Sequence, residues 1–545
     1  MKFGKGIKAI FVISLHVILI SFIACSGNGS TTGPEENEEE PPNTEPASLE
    51  LSEESVTLDR WEDSYQIEVQ AYDENGNEVE TPSLTWSSSD TSIVNVNSEG
   101  LISSWYDGEA EITAETSSGP TLSASLTAEV VIQQNPQCTE PTGFPDQPPV
   151  NTQMPTWSEV ENPVEGGQLQ IGLGLVSVAA DFDGDGLQDL LIPDEKLEDI
   201  EPGKIQFWKN TGNYFEDYTT EVLGEESVMT DNSYTNIVAD FNGDGVLDIY
   251  RAQSGYDYPP YPQAKNVYLL SQPDGTLKDA SDTHLSTNDK RFTHGAADID
   301  IECDGDPDLI TNNIAEGASS FLFVNQGDGQ MQEESKDRLP EKLANGDHPM
   351  LSSSSCDIDR DGDDDLVLGS WDNRNMGERN VLLINDGFGM FRRMSKVLPK
   401  SYYGTNDVAS RMYCVDMNKD GWSDIVTLSS DVETDASRGL IWINKGDLEF
   451  EVIDLSAQFP GLLGINDVID INGDGWLDME IAIENEGTHM LFNESDFNFK
   501  FVELNFPVNV LVDANDNGLM DWMLPGLEDT EGVCCIPPEL KIQNY

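Results

Sequence analysis

The chain is poor in basic residues: 28 Lys and Arg stand against 102 Asp and Glu, a formal net charge of −74. So acidic a chain excludes nucleic acid as a partner and an electrostatic hold on an anionic membrane surface. Histidine is scarce, five in 545 residues, and no CxxC or Cys/His cluster has zinc-site spacing. GxSxG, HExxH and Walker patterns are absent, so no common nucleophile, zinc-peptidase or nucleotide signature marks an active site. Long apolar runs reduce to one, Ala9–Ile23, preceded by Lys2, Lys5 and Lys8. That run is short for a spanning helix and has the layout of an export signal. Apart from Cys25, six cysteines remain: Cys138, Cys303, Cys356, Cys414, Cys534 and Cys535. An even number in an exported chain permits disulfides without assigning them.

What the chain has in excess is one loop. Asp181, Asp183, Asp185 and Asp189 stand at positions 1, 3, 5 and 9 of a nine-residue stretch, with Gly186 at position 6. Alternating oxygen donors around a tight bend suit calcium, which takes many oxygens in irregular geometry; magnesium demands a stricter octahedron and keeps its waters. An EF-hand would need Glu at position 12 and flanking helices, whereas the flanks here are short apolar runs of strand type.

The loop recurs as Asp240, Asn242, Asp244 and Asp248; as Asp300, Glu302, Asp304 and Asp308; and as Asp357, Asp359, Asp361 and Asp365. It continues as Asp416, Asn418, Asp420 and Asp424; as Asp470, Asn472, Asp474 and Asp478; and as Asp513, Asn515, Asn517 and Asp521. Starts at 181, 240, 300, 357, 416, 470 and 513 are 59, 60, 57, 59, 54 and 43 residues apart. In the third loop Asp298 and Asp300 both qualify for position 1. Backbone carbonyls at position 7 (Leu187, Val246, Asp363, Trp422, Trp476 and Leu519) complete the expected ligand sets. Up to seven Ca²⁺ ions follow, one per repeat, with the seventh loop weakest because it has the fewest charged donors.

A fixed period of this size signals a repeat architecture. Each unit has a run entering the loop, a run leaving it, and a third ending near Asn, as in Phe207-Trp208-Lys209-Asn210. A turn and a fourth run follow. Four strands in each of seven units predict an all-β fold, a seven-bladed β-propeller over residues 154–545. The last unit lacks a fourth strand, and Thr156-Trp157-Ser158-Glu159-Val160 is left over before the first loop. Pairing the two closes the ring and covers exposed edges. Cys138 would then lie near Cys534 and Cys535, with a vicinal Cys534–Cys535 bridge as the alternative. Before the propeller, residues 25–47 read as a disordered acidic tether, 48–133 as a small immunoglobulin-like β-sandwich, and 134–153 as a linker.

Three resemblances sharpen this. Ser21-Phe22-Ile23-Ala24-Cys25 resembles a bacterial lipobox, implying a signal peptide over 1–24 and a lipid anchor on Cys25 at the outer membrane. Leu84-Thr85-Trp86-Ser87-Ser88-Ser89-Asp90 with Gly108-Glu109-Ala110-Glu111-Ile112-Thr113-Ala114 is similar to the bacterial Ig-like domain of group 2, a spacer in many surface proteins, with Trp86 as core. The acidic loops and following turns resemble FG-GAP/VCBS repeats, the unit of the integrin alpha-subunit head. That resemblance implies a calcium-stabilised propeller serving adhesion or recognition of a protein or polysaccharide, with oligomeric state open. A polysaccharide-acting enzyme and a periplasmic scaffold are the alternatives.

The face opposite the loops carries the longer connections, with Tyr256, Tyr258, Tyr261, Trp371, Arg374 and Arg379. Exposed aromatics with Arg suit partner binding. His294, His348 and Arg411, with Asn236, Asn406 and Asn466, fall where inner strands begin and are candidates for the channel mouth.

Overall fold

The computed structural model describes residues 45–544 apart from 62, 140–155, 161–163, 166–176, 194–202, 213, 225–227, 256–261, 315–318, 372–379, 395–396, 400–406, 432, 435, 447, 505–509, 515–519 and 525–538. Its helices are single turns, such as Thr219–Leu223 and Leu455–Gln458; the rest of its regular structure is strand. No helix among the described residues is long and apolar enough to cross a membrane. Residues 1–44, which hold the expected signal peptide, lipidation site and most of the expected tether, lie outside the described residues.

Residues 48–130 form three small sheets around one core. Alternation decides which side chains enter it. In Ser55–Leu58 the buried residues are Val56 and Leu58, and in Ser123–Val130 they are Leu126, Ala128 and Val130. These two strands pair in parallel. Trp86 packs against this core. A Cβ on Gly100 would sit 2.5 Å from its ring, and the φ of +84° there also favours glycine.

Among the described residues, the strands from Thr156 onward gather into seven sheets. The second shows the plan: Ser233–Ala239, Asp248–Gln253, Val267–Ser271 and Leu277–Asp279, each antiparallel to the last. Sheets three to six repeat that order. The first sheet adds Val164–Glu165 at its outer edge. In the seventh, Val510–Val512, Asp521–Leu524 and Glu539–Asn544 are completed by Thr156–Val160, paired antiparallel from Thr156↔Asn544 to Val160↔Leu540. The leftover strand thus pairs where the sequence required it.

First strands lie against one another from the second sheet to the fifth, and those of the first and seventh sheets also meet, so they are innermost. Second strands such as Asp248–Gln253 and Asp365–Ser370 are buried throughout, because each has a neighbouring sheet on both faces. Outer strands such as Phe450–Asp454 are not fully buried at any residue. Inner strands of sheets two to six all carry a register shift near their start, for example between Thr293 and Gly295. Such a bulge increases the local twist. Contact is close at Gly295, where a Cβ would lie 2.6 Å from the Leu351 carbonyl oxygen.

The N-terminal unit is docked on the loop side of sheets three and four. Asn135 Nδ2 donates to the carbonyls of Glu302 (2.8 Å) and Gly387 (2.6 Å). Arg392 lies 3.3 Å from the centre of the Tyr106 ring and donates to the Trp105 carbonyl, while Arg60 covers Phe388 at 4.2 Å. Cys138 is bridged to Cys303, which corrects the expected pairing with Cys534 or Cys535. The chain leaving the last N-terminal strand goes straight to the third loop, far in sequence from the seventh sheet. A second bridge, Cys356–Cys414, joins the inner strands of sheets four and five. Cys534 and Cys535 lie outside the described residues.

Candidate metal centres and ligand face

The six loops from Asp181 to Asp478 share one internal wiring. The position-1 carboxylate accepts from the N–H groups of positions 5 and 6: Asp240 from Asp244 (3.1 Å) and Gly245 (2.7 Å), Asp470 from Asp474 (3.1 Å) and Gly475 (2.7 Å). The position-5 carboxylate accepts from the N–H of position 7, as in Asp244–Val246 and Asp420–Trp422, both 2.9 Å. Position 4 lies in the left-handed region even where it is not glycine: Cys303 has φ +53°, Arg360 +63° and Lys419 +56°. These bonds curl each loop back onto its first carboxylate. In the third loop Asp300 takes the position-1 bonds, from Asp304 (3.1 Å) and Gly305 (2.9 Å). Asp298 stands earlier, in the inner strand Thr293–Ile299.

Position 9 is a brace that the motif alone does not reveal. Asp478 Oδ2 accepts from Ile471 N (3.1 Å) and Oδ1 from Asn493 N (2.8 Å), fastening the start of the loop to the end of the third strand. Asp189, Asp248, Asp308, Asp365 and Asp424 do the same. The Asn ending the third strand then reaches the preceding sheet. Asn493 Nδ2 donates to Met417 O (3.0 Å), Asn444 to Ile358 O (2.8 Å), Asn385 to Ile301 O (3.0 Å) and Asn325 to Phe241 O (2.7 Å). Asn210 closes the series by donating to Ala514 O of the seventh sheet (3.0 Å). The recurring Asn was visible in sequence; its role as a bracket between sheets was not.

The donor set fits a hard cation. Carboxylate oxygens of Asp181, Asp183 and Asp189, and of Asp357, Asp359 and Asp361, come within 4.8 Å of one another. Asp359 Oδ1 is buried without a hydrogen-bond partner, a costly arrangement for a carboxylate unless a cation serves it. Burial pushes the position-9 carboxyls up against the opposing pull of their N–H donors: Asp248 to about 6, Asp189 to about 7, and Asp308, Asp424 and Asp478 to about 8. In the fourth loop burial, with neighbouring carboxylates, raises Asp357 to about 6 and Asp363 to about 9. Without a cation these sites favour protons. The seventh loop is described only in part: Asp513 N donates to Gln188 Oε1 of the first loop (2.8 Å), while Asn515, Asn517 and Leu519 lie outside the described residues.

On the opposite face, Tyr256, Tyr258, Tyr261, Arg374, Arg379 and Asn406 lie outside the described residues. His294 is buried and stacked on Tyr234, ring centres 4.1 Å apart, with the Trp371 ring 6.2 Å away and 38 % exposed. The three rings come from the second, third and fourth sheets and form one aromatic run; Tyr234 was not among the residues expected there. His348 departs from the channel-mouth expectation. It is buried within the blade, with Nδ1 3.3 Å from Arg393 of the outermost strand. Arg411 sits at the bulge of the fifth inner strand, half-buried. On the first strand of the next sheet, Asn466 Nδ2 donates to the buried Glu480 (2.8 Å).

Comparison with curated protein sequences gives no match. Among solved structures, a propeller of Dos1 aligns with a TM-score of 0.33 at 11% identity, covering 69% of this chain and 94% of its own. A GH43 β-1,3-galactosidase solved with galactodeoxynojirimycin aligns at 0.28 and 9% identity, covering 52% and 94%. Likenesses this slight assign no activity. Residues 181–251 and 357–427 match the FG-GAP-like repeat family, each stretch opening on a position-1 aspartate, so the chain carries FG-GAP-like repeats in an all-β propeller.

Proposed function

We propose that this is an exported, lipid-anchored protein whose seven sheets close into one calcium-stabilised ring behind an immunoglobulin-like unit. The face away from the loops recognises a protein or polysaccharide. The observation that carries the reading is the Tyr234–His294–Trp371 run, which spans three sheets around the buried His294 and ends in the exposed Trp371 ring. Aromatic rings give large contact area at low entropic cost, which suits recognition. The docked N-terminal unit supports the same orientation, because it occupies the loop side and leaves the aromatic side outward.

The loops serve as staples. A cation bound only by the folded chain stabilises it by mass action. A glycan array probed with the full chain, with Trp371→Ala alongside, tests the ligand face. Binding that the substitution abolishes is the expected result. Lyase and hydrolase assays on the bound glycans, with and without chelator, separate binder from enzyme. Loss of membrane partitioning in Cys25→Ser tests the anchor, and protease shaving of intact cells separates surface display from a periplasmic scaffold.

A further inference from the structure

We propose that the Lys209 ammonium is a resident cation of the first loop, occupying carboxylates that calcium takes in other loops. The inference rests on the calcium reading and modifies its stoichiometry. Lys209 Nζ contacts Asp183 Oδ2 and lies 2.8 Å from Asp185 Oδ2. These are positions 3 and 5, and Asp183 belongs to the trio whose oxygens converge with those of Asp181 and Asp189. Ammonium and metal would compete for the same oxygens.

The residue is particular to this sheet. It precedes the Asn that ends the third strand, and at that place the next five sheets have Leu270, Val324, Ile384, Ile443 and Phe492, none able to carry charge. The side chain is 27% exposed, and its ammonium lies 5.9 Å from the centre of the Tyr218 ring. The third loop shows a milder version, with Arg338 Nη2 2.5 Å from Glu302 Oε1 at position 3.

The placement has a purpose that the other loops lack. The first loop borders the junction with the seventh sheet, through Gln188 to Asp513 and Asn210 to Ala514. A covalently tethered cation keeps that junction ordered when free calcium is low.

The test counts calcium bound by the full chain, by equilibrium dialysis followed by atomic absorption, for the natural protein, Lys209→Met and Asp244→Asn. Lys209→Met is expected to bind one more ion per chain than the natural protein, and Asp244→Asn one fewer. Equal counts for the natural protein and Lys209→Met, with Asp244→Asn still one lower, overturn the inference and leave the calcium reading standing. No calcium on the natural protein overturns the calcium reading, and the inference falls with it. If Lys209→Met is unstable, calcium must restore its melting temperature to near that of the natural protein; failure to do so also overturns the inference.

Discussion

Stripped of metal, the protein is expected to lose stability as pH rises. Asp308, Asp424 and Asp478 have folded pKa values of about 8 because burial disfavours their charge; unfolded, they ionise near the ordinary 3.8. Folded pKa values raised above unfolded ones mean that the native state holds protons the unfolded state releases. Stability from this source is therefore greatest below about pH 4 and falls until about pH 8. Each pKa unit corresponds to about 1.4 kcal/mol. From about pH 5.5 to 8 each residue then costs about 3 kcal/mol, and halving this for structural relaxation leaves ~5 kcal/mol for the three. That is comparable to the whole stability of a typical domain, about 5–15 kcal/mol. Calcium supplies the charge the protons did, so the slope should disappear when it is bound. The assay is thermal unfolding by circular dichroism in chelator and in millimolar calcium at about pH 5.5, 7 and 8.5. A chain of net charge −74 also repels itself, but salt screens surface repulsion far more than buried charge. Repeating the series in about 0.5 M NaCl should preserve the slope. A melting temperature in chelator that is flat or rises with pH refutes the reasoning.

Other substitutions probe the frame. Asn444→Ala removes the bonds to Ile358 O and Ser423 O (2.8 and 3.2 Å) at a fully buried site, and should cost about 2–3 kcal/mol in denaturant titration. Gly295→Ala drives a Cβ into the backbone of the neighbouring inner strand, with Ser352 Cα at 2.9 Å. It should lower the melting temperature far more than Gly464→Ala, whose nearest contact is the Asn466 side chain at 3.1 Å. Replacing Cys138 and Cys303 with serine opens a bridge spanning 165 residues, and on chain-entropy grounds should cost about 4–5 kcal/mol. Adding Arg392→Ala to that pair should free the N-terminal unit, seen as faster proteolysis between residues 131 and 155.

The loops were legible because their chemistry is local: Asp181 through Asp189 specify bend, donors and strand flanks within nine residues, and the period does the rest. The closing strand Thr156–Val160 was legible by elimination, since a final sheet short of one strand needs a donor. What depends on distant surfaces left no such mark. Nothing around Cys138 indicates Cys303, because the pairing follows from how Asn135 and Arg392 seat one unit on the other. Position-9 aspartates look like ligands in sequence, yet both oxygens also hold backbone N–H groups. Lys209 reads as an ordinary strand residue until the turn brings it over Asp183. His348 occupies the same stretch before its loop as His294, yet His294 joins the aromatic run while His348 turns to Arg393 of the outermost strand.

Among the described residues the asparagine brackets have one gap. Where the third to sixth sheets, and the first, end their third strand in Asn, the second ends in Ser271, whose hydroxyl is spent on Asp244 of its own loop (3.1 Å). Its main-chain and side-chain oxygens receive Asn242 from that same loop (3.2 and 3.0 Å). Of the six joints whose bracket residue is described, the one between the first and second sheets lacks a bracket, and it lies away from the point where the two chain ends meet. Under heat or pulling, the first and second sheets should part before the five bracketed pairs, leaving the sewn ends together.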